Sequence, residues 1–242
     1  MRTATLARVF SITALVLASF GPQAALAQPP CCVVPDFGGT AALPPLCPDG
    51  YQEQNLFRLN GLPPGEPVIG LLTIINIHNV IESPGGPLGG TLQQWDATLR
   101  VHIKGDAGFV YERVMTMPVQ GLSAAQPRVP GTPLQSFDTD LVQLQGQLPP
   151  GDPDFDLLRI TGGSGFGMPS PGHTTLTLSG PGWAVDSFFD ITYRIDYIGH
   201  PGGPFGGTSN SQVEPNKEFD MCHAHPTAAR ASSWGALKLH YR

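Results

Sequence analysis

The chain is organised by one eight-residue phrase used twice. Pro84-Gly85-Gly86-Pro87-Leu88-Gly89-Gly90-Thr91 returns as Pro201-Gly202-Gly203-Pro204-Phe205-Gly206-Gly207-Thr208 with one letter changed. Each copy follows a run of apolar and β-branched residues, 74–81 and 189–198. Proline holds φ near about −65° and glycine admits positive φ, so such a block specifies a stiff turn rather than a loose linker. The phrase therefore predicts two long strands, each closed by a shaped loop.

Alternation supports strands elsewhere. Trp183, Val185, Phe189, Ile191, Tyr193, Ile195 and Tyr197 share one parity, while Asp186, Asp190, Thr192, Arg194 and Asp196 take the other. One face is expected to be buried and one wet. Leu99, Val101 and Ile103 alternate with Arg100, His102 and Lys104 in the same way, and runs at 109–119 and 137–147 bring the count to roughly seven to nine strands. Gly plus Pro make up 56 of 242 residues, but they sit in blocks between the patterned runs, which favours a folded loop-rich domain over disorder. The expected fold is all-β: an antiparallel β-sandwich or barrel-like domain with long proline/glycine loops.

A second repeat joins Leu62-Pro63-Pro64-Gly65-Glu66-Pro67 to Leu148-Pro149-Pro150-Gly151-Asp152-Pro153. It is offset by 86 positions, whereas the eight-residue phrase is offset by 117. A simple tandem array is excluded. Two readings stay open: a duplicated half-domain whose second copy carries an extra hairpin around 162–182, or two similar turns reused in one fold.

Residues 1–27 read as a signal peptide, with Arg2 and Arg8 before an apolar run and Ala25-Leu26-Ala27 at the expected cut. The apolar run is shorter than the roughly 20 residues that span a bilayer, and no later segment is long enough. Residues 28–66 are dense in proline and read as an extended arm draped over the domain, 67–215 as the β domain, and 216–242 as a tail ending in a short helix. Without the two leader arginines the chain holds 11 basic against 19 acidic side chains, a balance unsuited to nucleic-acid backbones. Cys31, Cys32, Cys47 and Cys222 all fall in the exported part, where two disulfides are expected. Pairing Cys31 with Cys32 would strain a vicinal ring and is the least favoured pair; a bridge from Cys222 to one of the first three cysteines is expected to tie the C-terminal region to the N-terminal segment.

The wording of Pro-Gly-Gly-Pro-Leu-Gly-Gly, of Pro171-Gly172-His173-Thr174-Thr175-Leu176 and of Ser187-Phe188-Phe189-Asp190-Ile191-Thr192-Tyr193-Arg194-Ile195 resembles hypothetical exported proteins of planctomycete-type environmental bacteria. The resemblance spans about residues 31–208 and implies export, with no activity attached. The ending Ser233-Trp234-Gly235-Ala236-Leu237-Lys238 is similar to short C-terminal endings of other secreted bacterial proteins.

Three constellations carry chemistry on paper. Asp220, Cys222, His223 and His225 place soft and borderline ligands within six residues, a spacing open to zinc or copper, although an exported cysteine also suits a disulfide. Asp152, Asp154 and Asp156 would point one way in an extended chain, as calcium prefers, although the EF-hand template fails and Pro153 also suits a plain acidic turn. Ser164, in Gly162-Gly163-Ser164-Gly165, misses the nucleophile-elbow spacing, and His173 could serve it only on paper. No catalytic residue is assigned. Trp95, Trp183 and Trp234 offer no visible sugar platform.

The expectation is a secreted, periplasmic or extracellular non-enzymatic module. It would be structural, or would meet an unknown protein or glycan at the cell surface, without nucleic acid or a transmembrane segment. No cofactor is expected beyond calcium or zinc. The competing expectation is a metal-dependent hydrolase, or a carbohydrate-binding protein, acting on envelope material.

Overall fold

A computed structural model describes residues 32–62 and 66–221. The described chain is antiparallel β: β1 Val33–Pro35, β2 Tyr51–Glu53, β3 Phe57–Leu59, β4 Val68–Pro84, β5 Thr91–Gly105, β6 Glu112–Ala125, β7 Leu134–Gln147, β8 Phe155–Gly162, β9 Pro171–Ser179, β10 Gly182–Gly199 and β11 Ser209–Asp220. A turn of 3-10 helix, Ser164–Phe166, is the helical element among the described residues. None of these residues forms a helix long and apolar enough to cross a membrane.

The strands pair in the order β10-β11-β2-β4-β5-β6-β7-β8, and β8 pairs back onto β10, so the sheet closes on itself as a barrel. β9 fills the same gap further along, pairing with β7 on one side and β10 on the other. Closure matters because an open sheet leaves unpaired edges. Both copies of the proline-glycine phrase are hairpin loops, one joining β4 to β5 and the other joining β10 to β11. Residues 162–182 supply the 3-10 turn and β9, which doubles back onto β10.

Alternation places the core. Leu99, Val101 and Ile103 of β5 pack inward with Leu72, Ile74, Met117, Leu144, Ile160, Ile191, Tyr193 and Ile195, while Arg100, His102 and Lys104 face out. An apolar interior and a polar outer face invert the pattern of a barrel built for lipid.

Two expectations need correction. The proline-dense arm is not all outside the sheet: residues 36–47 pack against the barrel, with Gly39, Thr40 and Ala41 bonded to Gly131, Gln135 and Arg128. Its proline-free stretch Tyr51-Gln52-Glu53 is a strand inside the sheet, paired to β11 through Phe219 and Asp220 and to β4 through Ile74 and Thr73. β3 then pairs with β4, and Gln212 of β11 reaches across to the Arg58 carbonyl and the Asn60 N–H. The tail also begins later than expected, because β11 runs to Asp220; its short helix lies outside the described residues. A disulfide joins Cys32 to Cys47. Cys31 and Cys222 lie outside the described residues.

Where the arm enters the sheet it buries a carboxyl group. Between its pairings with β2 and β3, β4 leaves the Leu72 N–H without a strand carbonyl, and the Glu53 carboxylate accepts it at 2.9 Å. The Tyr193 hydroxyl donates to the other oxygen at 2.8 Å. Glu53 has no exposed surface, and burial is the main cause that pushes its carboxyl up to about 7.

Candidate functional site

The outer wall across β2, β4, β5 and β6 carries a groove of about 310 Å³, lined by Gln52, Leu71, Thr73, Arg100, His102 and Val114. Register explains the set. Gln52 lies opposite Thr73 and Thr73 opposite Arg100, forming one transverse row. Leu71, His102 and Val114 form the next. Residues 54–56 step out of the ladder between β2 and β3, and the Gln54 N–H turns to the Glu218 carbonyl instead. Leu71 is thereby left without a cross-strand neighbour on that side, and the groove opens beside it.

Arg100 is exposed, Gln52 half-buried and Thr73 buried. The side chains of Gln52, Thr73 and Arg100 have no hydrogen-bond or ion-pair partner among the described residues. His102 is held at the rim by Glu112, with Nε2 2.9 Å from the carboxylate. The sequence showed Arg100 and His102 only as the wet side of an alternation, and Gln52 lay in what reads as an arm. Only strand register brings the three segments together.

A second cluster has the connectivity of a nucleophilic relay. Ser136 Oγ lies 2.8 Å from His173 Nε2, and His173 Nδ1 lies 2.9 Å from Asp138 Oδ1. Asp138 and His173 are direct cross-strand partners on β7 and β9. Ser164 is not the serine that His173 meets; its hydroxyl donates to Asp140 instead. Acyl transfer also needs donors aimed at the developing oxyanion, whereas paired strands turn their N–H groups sideways into the ladder. The Asp138 N–H is taken by the Gln126 side chain at 3.0 Å. The row lies on an open sheet face and reads as a hydrogen-bonded surface ladder.

The aspartates expected for calcium are each engaged by protein side chains. Arg113 forks onto Asp152 and Asp154, and the Tyr111 hydroxyl donates to Asp154 at 2.7 Å. Asp156 pairs with His200 Nδ1 at 2.6 Å. Burial alone would raise the Asp152 carboxyl. Arg113 and the N–H groups of Asp154 and Phe155 outweigh that and hold it below the usual range. Among the described residues no three His, Cys, Asp or Glu side chains converge as metal ligands.

Of the zinc candidates, Asp220 ends β11 opposite Gln52 and is buried; Cys222, His223 and His225 lie outside the described residues. Trp95 and Trp183 are interior, donating to Ser123 and Asp36, so neither offers a sugar platform. Trp234 lies outside the described residues. No family model matches the chain, and no curated protein or solved structure matches it.

Proposed function

We propose that this chain is an exported, non-catalytic barrel that works as an interaction module at or beyond the cell surface, with the β2-β4-β5-β6 groove as its contact surface. The observation that carries the reading is the pair of unpartnered side chains Gln52 and Arg100, facing one concavity beside apolar Leu71. Binding sites combine concave apolar surface with a few convergent polar groups. The aspartate and serine-histidine clusters, in contrast, spend their polar groups on one another. The leader pattern and the Cys32–Cys47 disulfide favour an oxidising compartment.

The test is retention of the purified mature chain on isolated cell-envelope material. Wild type is expected to be retained, and Arg100→Glu to be released while melting like wild type. Equal retention of both removes the groove from the reading. Stoichiometric zinc or copper surviving dialysis would favour the metal-dependent hydrolase instead.

A further inference from the structure

We infer that the groove takes a carboxylate-bearing sugar, a uronic-acid unit of an acidic glycan; this rests on the interaction-module reading and names its ligand. Residues 28–221 contain all 19 acidic side chains and 8 basic ones, so a cation without a partner is a local exception on an acidic body. Most of its fellows are committed: Arg58, Arg113, Arg128, Arg159, Arg194 and Lys217 all hold carboxylates. Arg100 does not, and its planar fork matches a carboxylate.

The neighbours select among anions. The Gln52 amide stands in the same row as Arg100, across buried Thr73, and offers both donor and acceptor, which suits ring hydroxyls. Leu71 and Val114, in the next row, supply aliphatic surface for the C–H face of a pyranose. Glu112, holding His102 at the rim, disfavours multiply charged phosphate. A peptide strand would need a free sheet edge, but β4, β5 and β6 are paired to one another under the groove, and the break on the other side of β4 covers only Leu71 and Leu72, with the Leu72 N–H already taken by Glu53.

The test is calorimetric titration of the mature chain with an oligogalacturonide and with its methyl ester, which keeps the ring hydroxyls and loses the charge. The acid is expected to bind about tenfold or more tighter than the ester, and Arg100→Ala to lose about tenfold to a hundredfold while its melting temperature holds. Arg100→Lys should fall between them, since an ammonium keeps the charge without the fork. Equal binding of acid and ester, unchanged binding by Arg100→Ala, or inorganic phosphate competing at the same concentration overturns the inference. Failure to bind uronate, with Arg100-dependent retention on envelope material intact, overturns the ligand class and leaves the module reading standing.

Discussion

The two proline-glycine loops share seven of eight letters and are built differently. In the first, the Gly85 N–H donates to the Gly90 carbonyl at 2.8 Å and the Gly89 N–H to Gly86 at 3.1 Å; Gly85, Gly86 and Gly89 have positive φ. In the second, the last rung is the Gly199 N–H to Thr208 at 2.9 Å, and Gly203, Gly206 and Thr208 then bond back to His200, Gly203 and Phe205. Positive φ falls there on Gly202 and Gly207. The changed letter accompanies the difference. Leu88 is half-buried, whereas Phe205 is fully buried, its ring 5.1 Å from Phe155 and 4.9 Å from Tyr111. Proline and glycine permit a family of tight turns, and here the anchored side chain accompanies one member of it.

Truncating each anchor separates the two loops most strongly. Phe205→Ala is expected to cost about 3–5 kcal/mol in urea unfolding, against about 1 kcal/mol or less for Leu88→Ala. Equal losses would mean that the aromatic anchor does not distinguish the loops.

The second hairpin is also tied down at its base. With Cys32 joined to Cys47, Cys31 and Cys222 remain, and the residues beside them meet β10 two positions apart: the Cys32 carbonyl accepts from the Val185 N–H, and the Met221 N–H donates to the Ser187 carbonyl. Peptide mapping of the exported protein is expected to find a Cys31–Cys222 bridge and no free thiol. Replacing both with serine should cost about 2–4 kcal/mol. Free thiols at these two positions would overturn the prediction and return Cys222 to the zinc set.

Glu53 joins the hairpins, touching Leu72 of β4 and Tyr193 of β10. Its carboxyl sits near 7 when folded against an ordinary value of 4.5, so between these values the folded chain holds the proton more tightly than the unfolded one. Its contribution is most favourable below pH about 4.5, falls as pH rises to about 7, and is flat above, a span on the order of 3 kcal/mol. Glu53→Gln should keep acceptor and donor capacity, remove this slope, and melt above wild type at pH 8. A variant with the wild-type pH profile would show that Glu53 does not titrate in this window.

The smallest effects separate aligned glycines. A Cβ on Gly203 would come within 2.6 Å of the Pro153 carbonyl oxygen, whereas one on Gly86, its counterpart, first meets Leu92 Cδ1 at 3.4 Å. Both valine variants should destabilise, Gly86→Val by about 1 kcal/mol from positive φ and Gly203→Val by about 1–3 kcal/mol from the backbone collision. Identical melting of the two would dissolve the distinction.

Local pattern made the strands, their inward faces and the two hairpin loops legible, because side-chain alternation and turn chemistry are written within a few residues. Asp196 marks where that stops. Its parity points outward, yet it is buried under Arg159 of β8, Arg194 of its own strand and Ser211 of β11, whose approach depends on register. The Asp152–Asp154–Asp156 row was legible as acidic, but its partners were not: Arg113, 39 residues before Asp152, takes Asp152 and Asp154, and His200 takes Asp156. By itself the sequence determined an all-β chain with two shaped hairpins. Closure through β2, the burial of Glu53 and the groove around Arg100 were decided by the tertiary structure, because each depends on which distant strands lie side by side, and alternation within one strand carries no information about its neighbours.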